Sequence, residues 1–352
     1  MSRSPVVGVL RSGCVLVAAL AAAVAVAGCG GGTKPTSPSA SASASAGASP
    51  SAAASPSAAV PPAMVAVTTA GALVTLNPST GVVTQTLVPS GVIGDEVSVS
   101  PGGLVFFAVQ DGCSTTIEEV PVTGGSVATI APGSVPAVSP DGTMLAYASQ
   151  PSLTAGCVPS TTDLTALYQV KIRTLSSGAT VSLPANPESE DNGLPVPISH
   201  LSWSADNQYL AVSIASAEDN EGWDVTLVDT AQAQYFRAGA GVVSVPVTGS
   251  PTPQQSYLRE GVYMPNGDLF VSRACCAGIP PQNTSRLMWE VTTSGVLVHQ
   301  VAIGYPNLDH TSLDVSSDGQ WLLYLAANDL YVSQGGATPK ELTTGLIAAA
   351  WA

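Results

Sequence analysis

Val135-Pro-Ala-Val-Ser-Pro-Asp-Gly-Thr-Met-Leu-Ala-Tyr147 is the stretch that decides the architecture. Two short apolar runs flank Ser139-Pro140-Asp141-Gly142. Pro140 presets φ for a turn corner, Asp141 can bond nearby backbone, and Gly142 supplies φ > 0, so the stretch reads as strand, tight turn, strand. The same grammar recurs four times: Val97-Ser-Val-Ser-Pro-Gly-Gly-Leu-Val-Phe-Phe107, Leu201-Ser-Trp-Ser-Ala-Asp-Asn-Gln-Tyr-Leu-Ala-Val212, Val262-Tyr-Met-Pro-Asn-Gly-Asp-Leu-Phe-Val271 and Leu313-Asp-Val-Ser-Ser-Asp-Gly-Gln-Trp-Leu-Leu-Tyr324. No sustained helical period follows Met64, so an all-β fold made from a repeated hairpin is expected.

These segments resemble the TolB-like (PD40, WD40-like) β-propeller repeat, a Trp-Ser-Pro-Asp-Gly turn followed by an apolar strand. Ser139-Pro140-Asp141-Gly142 is the fullest match. The first segment departs with Gly102 for Asp, and the fourth with Met264-Pro265-Asn266-Gly267. The resemblance spans about Met64 to Ala352 and implies a fold; it implies no single activity, because that fold hosts many. The turn anchors Ser100, Ser139, Ser204, Met264 and Ser316 are 39, 65, 60 and 52 residues apart. A four-stranded blade takes about 40 residues, so the longer intervals hold a blade plus insertions, and the longest has room for an extra blade. At the end, Leu346-Ile-Ala-Ala-Ala-Trp-Ala352 reads as an innermost strand. Near the start, Met64-Val-Ala-Val, Leu73-Val-Thr-Leu and Val82-Val-Thr-Gln-Thr-Leu read as three strands without an inner partner. The expectation is a six-bladed propeller whose last blade is shared between N- and C-terminal strands, which removes open edges.

The chain ahead of the repeats carries an address. Arg3 and Arg11 form a positive region, and Val15 to Ala27 is an apolar run of thirteen residues. A membrane-spanning helix needs about 20, so the run reads as an export signal. Val26-Ala27-Gly28-Cys29 resembles the bacterial lipoprotein signal, in which small residues end at a cysteine that is diacylated before cleavage ahead of it. Residues 1–28 are read as that signal. Residues 29–63 are read as the lipidated Cys29 followed by a tether of almost only Gly, Ser, Ala, Thr and Pro, too polar to bury a core. Residues 64–352 are read as the propeller. A flexible tether of this length spans roughly 30 Å.

Charge narrows the partners. Ten Lys and Arg face 24 Asp and Glu, a net charge of −14, and only 10% of residues are charged. From Asp95 onward all 24 acids face seven basic residues, a net −17. Such a body repels nucleic acid and anionic headgroups, so no nucleic-acid partner is expected, and the membrane is reached through the lipid anchor. The segments between strands are lopsided. Gln150–Leu164, Pro184–Pro197, Ala217–Gly222, Ser244–Gln255, Ala274–Ser285 and Tyr305–His310 are long, and in an up-and-down blade all fall on one face. The other face keeps short turns, and elaborated loops on a rigid scaffold are where function concentrates. The long face is acidic, with Asp111, Glu188, Glu190, Asp191, Glu218, Asp219 and Glu221. Carboxylates there can take Ca²⁺, but the spaced order of a dedicated calcium loop is missing, so no cofactor or metal is assigned.

Four cysteines remain in the body. An oxidising compartment permits disulfides. Cys113 and Cys157 occupy equivalent loops of adjacent blades and are the expected pair, leaving Cys275 and Cys276 to each other or free. His200 and His310 are placed just before innermost strands at the mouth of the central channel, and His299 in an outer strand. No nucleophile elbow, zinc helix or phosphate loop is found, so no catalytic residue is assigned. The leading expectation is a monomeric, lipid-anchored protein on the extracytoplasmic side of the cell membrane, binding a protein or cell-wall partner through its long-loop face. Two alternatives stand beside it: a propeller hydrolase or oxidoreductase using His200 and His310, and a passive envelope scaffold.

Overall fold

The computed structural model describes residues 62–149, 168–184, 190–191, 194–195, 197–214, 224–237, 258–273, 288–301 and 310–352. The chain opens on β1 (Met64–Thr68), β2 (Leu73–Leu76) and β3 (Val83–Val88). The first blade follows as β4 (Val92–Val99), β5 (Leu104–Asp111), β6 (Ser114–Pro121) and β7 (Ala128–Pro132). The second is β8 (Ser134–Val138), β9 (Met144–Ser149), β10 (Gln169–Thr174) and β11 (Thr180–Ser182). A two-stranded hairpin, β12 (Glu190–Asp191) and β13 (Leu194–Pro195), precedes the third blade. That blade is β14 (Ile198–Trp203), β15 (Tyr209–Ile214), β16 (Asp224–Asp229) and β17 (Gln234–Arg237). The fourth is β18 (Leu258–Tyr263), β19 (Leu269–Arg273), β20 (Met288–Val291) and β21 (Leu297–Val301). The fifth is β22 (His310–Val315), β23 (Trp321–Ala326), β24 (Asp329–Gln334) and β25 (Lys340–Thr344), after which β26 (Leu346–Trp351) ends the chain.

Among the described residues there are six four-stranded sheets, and one of them has the order β26-β1-β2-β3. The protein is therefore a six-bladed propeller whose closing blade takes its inner strand from the C-terminus, as the sequence implied. The longest interval between turns holds the small β12–β13 hairpin rather than a further blade among those residues. β26 pairs antiparallel with β1 from Met64↔Trp351 to Thr68↔Leu346. The Ala352 N–H donates to the Ala63 carbonyl at 2.7 Å, so the chain enters and leaves the ring side by side, at the end where the short turns lie.

Strand periodicity explains why the ring coheres. Alternate side chains face opposite sides of a sheet, and each inner sheet face meets a neighbouring blade. In β5, Phe106 packs with Leu145 and Tyr147 of the second blade, while Val105 and Phe107 pack with Val65 and Val67 of the closing blade. Six apolar clusters fill the six boundaries between successive blades. These strands are buried on both faces, which is why their sequences are near-continuous apolar runs.

The repeated turn works as its residues require. The Ser139 Oγ donates to Asp141 Oδ1 at 2.6 Å and accepts the Met144 N–H at 2.9 Å. Ser204 with Asp206 and Tyr209, and Ser316 with Asp318 and Trp321, repeat both bonds at the same distances. The fourth residue of each turn has φ between +61° and +89°: Gly103, Gly142, Asn207, Gly267 and Gly319. Glycine or asparagine is required there because other side chains crowd the left-handed region.

Candidate functional site

The six inner strands surround a cavity of about 540 Å³ at the short-turn end of the ring. Its lining is set by position relative to the turn. Two residues before the turn stand Ser98, Ala137, Ser202, Val262 and Asp314, all lining the cavity; four residues before it stand Glu96, Val135, His200, Glu260 and Ser312, of which Glu96, His200 and Ser312 line it. In β4, β8 and β22 the register shifts across the second of these positions, and side chains from both reach the blades that follow. The Val138 N–H donates to Ser98 Oγ at 3.0 Å, the Tyr263 N–H to Ser202 Oγ at 3.0 Å, and the Trp351 N–H to Asp314 Oδ2 at 2.8 Å. One layer deeper, the Leu313 N–H donates to Glu260 Oε2 at 3.2 Å. Each bond fastens an inner strand to the one that follows.

Glu96 breaks the sequence of neighbours and shows why it exists. Its Oε2 accepts from the Leu201 N–H at 3.2 Å, two blades on rather than one. The residue that would donate on the second blade is Pro136, which has no N–H. The Glu96 carboxylate therefore reaches past β8 to β14, and its Oε1 stands 3.4 Å from His200 Nδ1.

Burial governs the protonation of these groups. Burial pushes the Glu260 carboxyl up to about 7, outweighing the N–H bonds from Leu313 and Ser312 and the nearby Arg259 charge. Asp314 is likewise pushed up to about 7 against its bonds from Trp351 and Val315. His200, 6% exposed, is pushed down to about 4 by burial. It is neutral at neutral pH, so its contact with Glu96 is not a charge pair there.

The structure thus refines the placement of the expected histidines. His200 lies within β14, buried in the ring wall, rather than ahead of an inner strand at an open mouth. His310 is the first residue of β22. His299 lies on the outer β21, where its Nδ1 is 2.9 Å from Glu290 Oε2; Glu290 Oε1 in turn accepts from Asn266 in the fourth turn at 2.9 Å. Cys113 joins β5 to β6 and is disulfide-bonded. Cys29, Cys157, Cys275 and Cys276 lie outside the described residues, as do Glu188, Glu218, Asp219 and Glu221. Among the described residues no group of three or more His, Cys, Asp and Glu is placed to hold a metal ion. The residues missed by motif reading are Glu96, Glu260 and Asp314. Counting back two and four positions from each turn anchor would have found them as acids interrupting inner strands.

No protein-family model matches the chain, and no curated protein matches it. Solved structures do resemble it. TolB from Acinetobacter baumannii superposes with a TM-score of 0.53 at 11% identity, over 83% of this chain and 66% of that one. A putative TolB from Agrobacterium tumefaciens gives 0.51 at 10% identity, over 81% of this chain and 90% of that one. The chain therefore spans just under two thirds of the Acinetobacter protein. At these identities the likeness establishes a shared TolB-like propeller fold.

Proposed function

We propose that this protein is an extracytoplasmic binding propeller, anchored in the membrane through diacylated Cys29, that engages a protein partner of the cell envelope with its long-connection face. One observation carries the reading. The intervals between β9 and β10, β11 and β14, β15 and β16, β17 and β18, β19 and β20, and β21 and β22 are the long ones, and all join strand ends at the same end of the ring. The opposite end keeps turns as short as Ser139–Thr143. The long intervals belong to the second, third and fourth blades and to the junctions that lead into the third, fourth and fifth, a one-sided elaboration on a rigid scaffold suited to recognition. Glu96, Glu260 and Asp314 accept backbone N–H bonds that tie blades together, which keeps the scaffold under those connections rigid.

The test is affinity capture from solubilised envelope with the full-length protein, beside variants in which residues 244–255 or 274–285 are replaced by a short Gly/Ser turn. Loss of a captured protein at unchanged melting temperature is expected. Capture that survives both replacements, and survives shortening of the other long connections, refutes the assignment of the face.

A further inference from the structure

Neighbouring turns at the short-turn end of the ring meet where the corner of one, its second residue, approaches the fourth residue of the next. That corner is Pro101 in the first turn, Pro140 in the second and Pro265 in the fourth. A Cβ built on Gly142 would stand 3.3 Å from Pro101 Cδ, and one built on Gly319 would stand 3.4 Å from Pro265 Cδ. The first turn therefore lies against the second, and the fourth against the fifth. The second reaches the third through the Asp141 N–H, which donates to Asn207 Oδ1 at 3.4 Å. The third and fourth turns do not meet in this way. The corner of the third is Ala205, and a Cβ built on Gly267 would find no atom within 4 Å. Where the proline ring is missing, an open cavity of about 460 Å³ lies between the two turns.

The groups around this gap share one chemistry. The Asp206 carboxylate takes the Ser204 hydroxyl and the Gln208 N–H on Oδ1, at 2.6 and 3.1 Å, while its Oδ2 has no hydrogen bond among the described residues. Those two bonds hold the carboxyl below its ordinary range, so it is charged at neutral pH. Tyr263, only 7% exposed, packs from β18 against Ala211 of β15 and Leu227 of β16. Its hydroxyl also makes no hydrogen bond among the described residues. Burial, then the Asp206 carboxylate and the Tyr209 phenol, push that hydroxyl upward, so it keeps its proton. Asp206, Tyr209 and Tyr263 all line the cavity. On the opposite wall Asn266 Nδ2 donates to Asp268 Oδ2 at 3.2 Å and to Glu290 Oε1 at 2.9 Å. Among the described residues no lysine or arginine lines the cavity. A guanidinium is planar, stacks on a tyrosine face and offers a fork of donors that matches a carboxylate. We propose that the gap between the third and fourth turns is a binding site for an arginine side chain of a partner protein, its guanidinium bonded to Asp206 Oδ2 and lying against Tyr209 and Tyr263. The net −17 from Asp95 onward favours the approach of a basic segment. The site lies at the end of the ring opposite the long connections, and it stands or falls independently of the function proposed for them.

The experiment is an NMR titration of the full chain with acetyl-Gly-Arg-Gly-amide and with its neutral counterpart carrying citrulline in place of arginine. The arginine probe should shift the amides of residues 205–209 and 263–267 saturably, and the citrulline probe should bind roughly tenfold more weakly or worse. Ala205→Pro restores the corner found in three of the other turns and should abolish binding at an unchanged melting temperature. Asp206→Asn should weaken binding roughly tenfold. Asp318→Asn removes the same charge from a turn with the same bonds, Ser316 Oγ to Asp318 Oδ1 at 2.6 Å and the Gln320 N–H at 3.0 Å, and should leave binding unchanged. No saturable shift, equal binding of the two probes, or binding that survives both Ala205→Pro and Asp206→Asn overturns the proposal. Should Ala205→Pro fail to fold, Asp206→Asn against Asp318→Asn decides, and equal losses in the two overturn it.

Discussion

Replacing Ser139 by alanine isolates the chemistry of the repeated turn. The Ser139 side chain is fully buried, and its hydroxyl makes two bonds, one to a carboxylate at 2.6 Å and one from the Met144 N–H. A net hydrogen bond contributes about 0.5–1.5 kcal/mol, and one to a charged group about 1.5–3. Water can replace the donor on the exposed Asp141 side, so the lower figures apply to that bond. The expected loss is about 1–2 kcal/mol. The hairpin itself should survive, because the fourth blade has Met264 at this position and still closes its turn with the Gly267 N–H to Met264 carbonyl bond at 2.9 Å. Urea or thermal unfolding of the single variants at Ser139, Ser204 and Ser316 measures the effect, with about 2–4 °C per kcal/mol in domains of 150–250 residues and less in a larger ring. The three sites lie on different blades, and the losses should add roughly, with coupling expected only between Ser139 and Ser204, whose turns meet where the Asp141 N–H donates to Asn207 Oδ1 at 3.4 Å. The triple variant would then lose about 3–6 kcal/mol, a large share of the stability of a typical domain. The effect should also fade in acid. The Ser139 hydroxyl and the Thr143 N–H hold the Asp141 carboxyl below its ordinary range near 3.8. That contribution is present above this range and is lost as pH falls through the lowered value. Single variants within about 0.3 kcal/mol of wild type, well under the weakest net hydrogen bond, would refute the reasoning.

Deleting Leu346 to Ala352 should remove the inner strand of the closing blade and expose the edge of β1, with loss of cooperative unfolding or aggregation; an unchanged melting curve rules out the shared blade as the seal. Cys29→Ala should leave an unprocessed precursor without acyl groups in intact-mass spectrometry, and a wild-type mature protein lacking acyl groups defeats the lipid-anchor reading. Non-reducing peptide mapping should link Cys113 to Cys157, a loop of about 44 residues whose closure contributes roughly 3–4 kcal/mol in the chain-entropy model, and a link from Cys113 to Cys275 or Cys276 overturns that pairing. His200, lowered to about 4 by burial, contributes stability that is present above the ordinary histidine range near 6.5 and is lost as pH falls toward 4. His200→Gln should therefore flatten the decline of melting temperature over that interval, and parallel curves for variant and wild type remove His200 from the account.

The hairpins could be read from residues alone because their chemistry is local: Ser139, Asp141 and Gly142 interact within five positions of one another. The shared blade could be read because strands without a partner must find one. The channel could not be read the same way. Glu96 bonds a residue 105 positions away, and only the angular order of blades, together with the missing N–H of Pro136, explains that reach. His200 illustrates the same limit. Its place in the chain pointed to a channel mouth, but register within β14 turned it into the wall. The β12–β13 hairpin, inside a segment read as an acidic loop, has two-residue strands, too short for an alternating pattern.

The position of residue 63 beside residue 352 has a mechanical consequence. A load transmitted through residue 63 enters the ring at the end of β1. β1 is hydrogen-bonded on both flanks, to β26 and to β2, so two ladders rather than one hold the strand that takes that load. Resistance to such a pull is a matter of unfolding rate rather than of equilibrium stability. The same joint that seals the ring thus serves as its grip, and weakening β26 would lower the force the ring withstands.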